Sequence, residues 1–325
     1  MVFICDTRAT AGHTSAMPDE KRAGSIWDDV WSFEQRLRTG AKRAHGPQAT
    51  QDLELAGLLQ RIARRRRSRA GVPWASPGLP VAVTQPQPSA SAAPGSVLAV
   101  KRVTSQVAIL QLAKPAGFQF QPGQHIKLGL QAGPTNPYTI ASAPHEPHLE
   151  FCIESVPGGR VSPQLSALPP GARVALGNKA SGDFLLVPNV DTHVMLATVT
   201  GIGPFRSMLR AAVASGTPSS RFVILHGASF HDELVYQEEL QALAQQLPER
   251  VRYVPSVSRP SDPRNAGFLG LKGRVADLAP AFIQELRASH PGRLQVYACG
   301  HPQMVATAHQ ALEALGLPVL SEVFD

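Results

Sequence analysis

The spacing of apolar runs changes once along the chain, near residue 190, and this change limits the possible folds more than any other feature. From Val97 to Pro188 the apolar runs are short, rich in strand-forming residues and separated by turn residues, which is typical of a small antiparallel β-barrel. After Asp191 short apolar strands alternate with amphipathic helical stretches, as in a mostly parallel sheet. The sequence therefore predicts an α+β chain of two domains, a β-barrel followed by an α/β domain.

The same pattern predicts individual elements. The strands expected in the barrel are VLAVKRV, VAILQL, IKLGL, YTIAS, LEFCIESV, ARVAL and FLLV, and those expected in the parallel sheet are HVMLAT, FVILHG, VRYVPSV and LQVYACG. One helix is predicted to open with Pro204 and to end before Gly216, and another to open with Pro302 and to end before Gly316. Proline is favoured at a helix start because an N–H at that position has no intrahelical acceptor.

The first 95 residues differ from the rest in charge and composition. They hold 13 Lys and Arg against 8 Asp and Glu, whereas residues 96–325 hold 18 against 16. Apolar spacing is compatible with helix from Ser25 to about Arg69, and the Pro-, Ser- and Ala-rich stretch that follows is typical of a linker. The basic run at 64–67 is more often a solvated tail than a contact for nucleic acid or an acidic membrane. We expect a partly helical or disordered extension over 1–95, the barrel over 96–189 and the α/β domain over 190–325.

Cysteine content and hydropathy exclude several classes of protein. The three cysteines, Cys5, Cys152 and Cys299, supply neither a paired disulfide framework nor a CxxC metal spacing, so we expect no metal site. No apolar run reaches the roughly 18 residues that a membrane span requires, and the N-terminus becomes polar too early for a signal peptide. The sequence thus predicts a cytoplasmic chain.

The junction HVMLATVTGIGPFRSML suits a phosphate group. Thr200, Gly201 and Gly203 let the backbone approach a ligand where a helix begins, and free N–H groups and the helix dipole favour an anion there. The alternative is that the glycines only form a tight connection between strand and helix.

Five short motifs follow one another in a fixed order. They are NPYTIAS at 136–142, GGRVSPQL at 158–165, TGIGPF at 200–205, VSR at 257–259 and CGHPQMV at 299–305. In this order they resemble the ferredoxin-NADP reductase superfamily, and within it the bacterial ferredoxin-NADP reductases. The resemblance covers about residues 97–325 and implies FAD in the barrel and NADPH, or NADH, in the α/β domain.

For the flavin, the resemblance assigns the family motif RxY[ST] to residues 136–139. Tyr138 is expected to pack on the isoalloxazine ring, and the Thr139 hydroxyl is expected to hydrogen-bond near N5. Asn136 stands where the family has an arginine that pairs with flavin phosphate. We therefore expect the phosphate contact to weaken by about 1.5 to 3 kcal/mol.

The GGRVS segment is the second flavin contact that the resemblance implies. Backbone amides and a hydroxyl of Arg160, Val161 and Ser162 are expected at the pyrophosphate, and Arg160 could replace the charge missing from the flavin motif. The alternative is that Gly158 and Gly159 only form a hairpin turn after LEFCIESV.

For the nucleotide, the resemblance implies contacts at three places along the chain. These are Thr200, Gly201, Gly203 and Pro204, then Ser258 and Arg259, and finally Cys299 and Gly300. Val199 departs from the family, which has a small residue at this position. A β-branched side chain is stiffer and bulkier than a small one. NADPH is predicted over NADH, since Arg259 follows a strand where relatives hold the 2′-phosphate and a guanidinium can pair with phosphate through two bonds. Arg264, Lys272 and Arg274 could add charge nearby.

At the nicotinamide end the resemblance places Cys299 beside the ring, with a role in shape and orientation, whereas by default a lone cysteine at a strand end is a small buried residue. Glu322 and Phe324 match the acidic residue and the late aromatic that the family holds near the flavin. The candidate catalytic residues are therefore Thr139, Cys299 and Glu322.

The predicted function is an oxidoreductase that passes hydride from NADPH to FAD and then single electrons to a separate carrier such as ferredoxin or flavodoxin. The acceptor must be a different molecule because three scattered cysteines cannot hold an iron–sulfur cluster. The alternatives are an NAD(P)H flavin reductase or the reductase partner of an oxygenase or desaturase. From another class, the departures at Asn136 and Val199 allow a degenerate binding or regulatory paralogue without catalysis.

Overall fold

The computed structural model describes residues 95–156, 158–216 and 220–323. The helix predicted within 25–69, the basic run at 64–67 and Phe324 lie outside the described residues. The described part forms the two predicted domains, a barrel and then a parallel sheet with helices on both faces.

Six antiparallel strands form the barrel. They are β1 (Val97–Arg102), β2 (Val107–Ala113), β3 (His125–Leu130), β4 (Thr135–Thr139), β5 (His148–Glu154) and β6 (Val174–Leu176). They pair in two sheets of three, β1-β2-β5 and β4-β3-β6. Backbone bonds join the sheets on both sides, from the Ala141 N–H to the Glu150 carbonyl at 2.7 Å and from the Val97 N–H to the Ala172 carbonyl at 2.8 Å. Alternate residues of the strands, such as Leu149, Phe151 and Ile153, fill the interior.

The α/β domain has six parallel strands. They are β7 (Thr192–Thr198), β8 (Arg221–Ala228), β9 (Val251–Val257), β10 (Leu271–Lys272), β11 (Leu294–Gly300) and β12 (Val319–Val323), in the spatial order β10-β9-β8-β7-β11-β12. The chain runs outward from β7 on one side and then returns to β11 on the other, so the strand order reverses between β7 and β11. Ligands of open parallel sheets bind outside the carboxyl ends of the strands at such a reversal.

Five helices are described. A short α1 (Ser162–Leu165) follows β5 in the barrel, and the α/β domain holds α2 (Ile202–Ala214), α3 (Gln237–Gln246), α4 (Val275–Ser289) and α5 (Pro302–Glu313). Alternate residues of β7 divide between two cores. Val194 and Leu196 pack with α4 and α5, whereas Met195 and Ala197 pack with α2 and α3. Burial of the strands on both faces explains why they read as continuous apolar runs.

Two predicted elements differ from the structure. The run FLLV at 184–187 is not a strand, because Phe184 packs between Phe205 and Tyr297 of the α/β domain and the Val187 N–H donates to the Tyr297 hydroxyl at 2.9 Å. The helix predicted to open with Pro204 begins two residues earlier, at Ile202, after a 3-10 turn over Val199–Gly201. Proline is tolerated in this first turn, since its missing N–H would have no intrahelical acceptor.

Smaller differences concern the shortest elements. The predicted strand YTIAS is displaced toward the N-terminus, to Thr135–Thr139, and neither β10 nor β12 was predicted. None of the described helices is both long and apolar enough to cross a membrane, and the described residues contain no group of His, Cys, Asp and Glu placed to hold a metal ion.

Candidate functional site

A cleft of about 1190 Å³ is lined by residues of both domains. The α/β domain contributes the carboxyl ends of β7, β8 and β11 and the residues after β9, and the barrel contributes β4, Val156 and the segment 159–162. Single small-molecule sites have volumes of roughly 300–1,000 Å³. The cleft therefore has room for more than one ligand group, at the edge of the sheet where a ligand is expected.

The flavin motif forms one wall of this cleft. Asn136 is exposed, Tyr138 is half-buried and Thr139 is buried, and all three line the cleft. The Asn136 side chain bonds to the Tyr138 hydroxyl, so Asn136 holds the tyrosine where the family has a cation. Burial raises the pKa of Tyr138 and the bond to Asn136 opposes the rise, which leaves a neutral phenol.

Thr139 and Glu322, 183 residues apart in sequence, meet at the inner end of this wall. The Thr139 hydroxyl donates to Glu322 Oε2 at 3.3 Å, and β11 pairs with β12 so that Cys299 lies beside Glu322. The structure thus brings the three candidate catalytic residues together. Burial raises the pKa of Glu322, against the effect of His125 and of the Thr139 hydroxyl.

His125 is a polar neighbour of this group that the sequence analysis missed. Its Nδ1 lies 3.6 Å from Glu322 Oε1, and its Nε2 lies 3.2 Å from the Ser181 hydroxyl. The signal that could have identified it is a histidine at the first position of the mostly apolar strand β3. Glu322 therefore has a polar neighbour at each oxygen, the Thr139 hydroxyl at Oε2 and His125 at Oε1.

The two described cysteines are placed differently. Cys299 is fully buried and does not line the cleft, whereas Cys152, which was not predicted as a site residue, does. Burial raises the pKa of both thiols, and nearby carboxylates add to the effect. Both side chains are therefore neutral thiols, unsuited to nucleophilic attack.

The nucleotide loop after β7 is strained at Val199. This residue has a φ of 44°, a left-handed conformation that is rare for a β-branched side chain and costs on the order of 1–3 kcal/mol. The buried His226 holds it there, because His226 Nε2 lies 3.0 Å from the Val199 carbonyl and must carry the proton. Burial lowers the pKa of His226 to about 4, against the effect of that bond, so the ring is neutral and its Nδ1 accepts from the Tyr253 hydroxyl at 3.0 Å.

The glycines of the loop serve different purposes. A side chain at Gly201 would overlap the Cys299 carbonyl, so Gly201 allows the turn after β7 to pack on the end of β11 rather than on a ligand. Gly203 lines the cleft and has only Ala141 near its absent side chain, at 3.6 Å. Thr200 also lines the cleft and bonds to Glu154, whereas Pro204 is buried and does not line it.

The GGRVS segment lines the cleft but is not a hairpin, because α1 follows it and β5 pairs with β2. The Val161 side chain belongs to the barrel core, and the Ser162 hydroxyl accepts from the Val156 N–H at 3.3 Å. Arg160 is exposed and has no carboxylate partner among the described residues. Only Arg160 therefore offers a free charged side chain from this segment.

Cations lie at the far end of the cleft, beyond β9. Ser258, Arg259 and Arg274 line it, and Arg274 immediately precedes α4. Lys272 does not line the cleft, and Arg264 is paired with Asp232 by two bonds of 2.8 and 2.9 Å. Arg259 and Arg274, which have no such partner in the described ranges, are therefore the guanidinium groups suited to a phosphate.

Asn265 holds the loops around this end and was not predicted. Its buried amide nitrogen donates to the Arg259 carbonyl at 2.8 Å and to the Ser229 carbonyl at 3.0 Å, while its oxygen accepts from the His231 N–H at 2.8 Å. It thus fixes the loop after β8 against the loop after β9. An asparagine in a polar loop gives no sequence signal for such a role.

Comparisons with known proteins agree with this arrangement. Residues 94–180 match the oxidoreductase FAD-binding domain family, and residues 195–310 match the oxidoreductase NAD-binding domain family. The flavodoxin/ferredoxin–NADP reductase of Escherichia coli is 34% identical over 222 residues, 65% of this chain and 86% of that protein. Ferredoxin–NADP reductase B of Sorangium cellulosum is 34% identical over 232 residues, 68% of this chain and 92% of that protein. A crystal structure of a Neisseria gonorrhoeae ferredoxin NADP+ reductase with bound FAD and NADP superposes with a TM-score of 0.61 at 25% identity, over 70% of this chain and 96% of that one.

Proposed function

Because the chain belongs to the ferredoxin–NADP reductase family, we propose that it takes electrons from NADPH through bound FAD and delivers them to a separate protein, a ferredoxin or a flavodoxin. Its flavin-dependent oxidoreductase activity follows from the two matched domains. The observation that carries the proposal is a single cleft lined both by Thr139, which bonds to Glu322, and by Arg259 and Arg274, which have no carboxylate partner among the described residues. The relatives named for ferredoxin and flavodoxin support the choice of acceptor.

The residues of the barrel fit a flavin. We assign the ring to the half-buried Tyr138 and the buried Thr139, and the phosphates to the backbone of Val161 and Ser162 with the Arg160 guanidinium as the cation. FAD held by these residues would supply the conversion of a two-electron hydride transfer into one-electron steps. Asn136 contributes by orienting Tyr138 rather than by charge.

The residues of the α/β domain fit a nucleotide with a 2′-phosphate. We assign Ser258, Arg259 and Arg274 to that phosphate, and Thr200, Gly203 and Gly300 to the rest of the nucleotide. Gly201, Pro204 and Cys299 are assigned to the side of the loop after β7 that faces away from the cleft. Gly201 contacts the end of β11 there. The flavin contact expected of Phe324, which lies outside the described residues, stays a prediction.

Glu322 and Thr139 are the residues proposed to handle a proton at the reacting end. The Thr139 hydroxyl donates to the carboxylate, and burial keeps the pKa of Glu322 above its usual range. A raised pKa favours the protonated form of a carboxyl, and that form can act as a proton donor. Nothing in this arrangement needs Cys299 as a nucleophile, since its role is the shape of the wall behind Gly201.

The test is a visible spectrum of the purified full chain before and after addition of FAD, followed by anaerobic titration with NADPH and with NADH. Flavin absorbance that is bleached preferentially by NADPH supports the proposal. A protein that binds no flavin, or whose flavin neither nucleotide bleaches, contradicts it. Reduction of added ferredoxin and flavodoxin then identifies the acceptor.

A second class of acceptor is an oxygenase component. The reductase component of propane 2-monooxygenase from Rhodococcus jostii is 28% identical over 228 residues, which are 68% of this chain and 60% of that protein. If neither ferredoxin nor flavodoxin accepts electrons while NADPH bleaches the flavin, this class becomes the better assignment.

We further propose that the chain works in the cytoplasm and that the basic run at 64–67 is a solvated tail, which salt-dependent binding to DNA or anionic vesicles would contradict.

A further inference from the structure

Two consecutive residues of α2 donate hydrogen bonds to the backbone that follows the flavin motif. The Arg206 Nη1 donates to the Ala141 carbonyl at 2.9 Å, and the Ser207 hydroxyl donates to the Ser142 carbonyl at 2.7 Å. All four residues are buried, and none of them lines the cleft. Because α2 begins in the nucleotide loop and residues 141–142 follow the flavin motif directly, these bonds join the two cofactor-binding segments.

Arg206 is also the centre of a cluster of charges that spans both domains. Its Nη1 lies 3.4 Å from Glu146 Oε2 and 3.3 Å from Glu150 Oε1 of the barrel, and its Nε donates to Glu239 of α3 at 3.0 Å. Tyr236 completes the cluster, with its ring 4.7 Å from the guanidinium and its hydroxyl donating to Glu150 at 2.9 Å. The planar fork of an arginine can reach several acceptors at fixed angles, which a lysine cannot do.

The cluster contains equal numbers of basic and acidic side chains. Arg206, Arg210 and Lys114 face three carboxylates, since Arg210 contacts Glu146 at 2.6 Å and Glu239 at 2.9 Å and Lys114 lies near Glu146. Burial alone would raise the pKa of Glu150, but bonds and charges from His148, Arg206, Gln111 and Tyr236 lower it to about 2. Buried ion pairs are weak contributors to stability because their desolvation offsets their attraction. These ion pairs instead fix the orientation of the two domains, because the charges are paired in only one arrangement.

We propose that Arg206 and Ser207 are positioning residues that set the nucleotide loop against the flavin-contacting strand, and thereby set the distance between the two cofactor sites. This inference rests on the proposed function, which requires reacting atoms within about 3–3.5 Å of each other. A misplacement of about 1 Å costs on the order of a hundredfold in rate. The two side chains act through the backbone at 141–142 and touch neither cofactor site.

The test compares the full chain with the variants Arg206→Met and Ser207→Ala. The matched control is Arg252→Met, because Arg252 is a partly buried arginine that lies 3.4 Å from Glu285 and stacks on Phe282 at 4.9 Å, with all these contacts within the α/β domain. Three quantities are measured: the hydride-transfer rate at saturating NADPH, the dissociation constants for FAD and NADP+, and, without cofactors, hydrogen exchange of the peptide around 139–146.

We expect Ser207→Ala to lower the transfer rate by about tenfold and Arg206→Met by about a hundredfold, with both dissociation constants within about threefold of the parent chain. Exchange around 139–146 should accelerate in both variants without cofactors. Arg252→Met should lower thermal stability and leave the rate and this exchange unchanged.

The inference is overturned if Ser207→Ala transfers hydride at the parent rate, or if Arg206→Met and Arg252→Met lose rate equally. If NADPH does not reduce the flavin of the parent chain, the proposed function is contradicted instead. The hydrogen exchange around 139–146 would still show whether Arg206 and Ser207 fix this segment of the barrel against α2. Ser207→Ala removes one hydrogen bond and no charge, so it keeps the test decisive if Arg206→Met does not fold.

Discussion

Arg259 and Arg264 lie five residues apart, yet their guanidinium groups have different surroundings. Both guanidinium groups lie over the Phe230 ring, at 3.7 Å for Arg264 and 5.2 Å for Arg259, but Arg264 is also held by Asp232, whereas Arg259 lines the cleft without a carboxylate partner among the described residues. We expect Arg259→Ala to weaken NADPH binding by about 1.5 to 3 kcal/mol, the range for a hydrogen bond to a charged group, and to leave NADH binding unchanged. Isothermal titration with both nucleotides measures this. Arg287→Ala, which removes an exposed arginine of α4 outside the cleft, is the control, and an equal loss for NADPH and NADH would contradict the assignment.

The contact between His125 and Glu322 gives a second prediction for single residues. His125 lowers the pKa of Glu322, against the larger effect of burial, so removal of the imidazole in His125→Phe should raise the pKa of Glu322 further. Carbon-13 NMR of the side-chain carboxyl over a pH series measures it, with Glu322→Gln to assign the resonance. A pKa that is unchanged or lower in His125→Phe would show that the two side chains do not interact.

At the scale of elements, the turns after β7 and β11 fit together only because glycine occupies their contact points. Gly300 has a φ of 132°, and a side chain there would overlap the Thr198 hydroxyl, whereas Gly216 has a φ of 60° and no neighbouring atom lies within 4 Å of the place where its side chain would begin. Both glycines therefore have left-handed backbones, but only Gly300 also lacks space for a side chain.

 

This difference predicts unequal effects of alanine at the two positions. Gly216→Ala should cost about 1–2 kcal/mol of the free energy of unfolding, because it adds only the strain of a left-handed backbone. Gly300→Ala should cost more than that and should also weaken NADP+ binding, since the end of β11 must move away from Thr198. Urea denaturation and a binding titration measure the two effects. Equal losses of stability in the two variants would show that the Thr198 contact is not tight.

At the scale of the whole molecule, the neutral buried His226 makes stability depend on pH. Its pKa is about 4 in the folded chain against 6.5 when exposed, so the unfolded chain binds a proton more readily. The contribution of His226 is therefore complete above about pH 6.5 and is lost as the pH falls toward 4, by about 3 kcal/mol. Glu150, with a folded pKa of about 2 against 4.5, loses its contribution only below pH 4.5, which separates the two windows.

Denaturation by urea at several pH values between 7.5 and 4.5 measures this loss. His226→Gln should be less stable at pH 7, because the bond to the Val199 carbonyl changes, but its stability should fall less steeply between pH 6.5 and 4.5. A slope identical to that of the parent chain would show that His226 is not the titrating group.

Much of this protein could be predicted from its sequence, because the deciding signals are local. Apolar periodicity within single segments predicted both domains and most strands, and contiguous motifs identified the family and the residues of the cleft wall, such as Tyr138 and Ser258. The run FLLV misled the prediction because its apolar residues pack on another domain instead of pairing in a sheet. Only the tertiary structure decided which distant side chains meet: Thr139 with Glu322 and His125, and Arg206 with the backbone at 141–142. These contacts depend on how two domains pack, and no periodicity within either segment encodes a partner so far away in the chain.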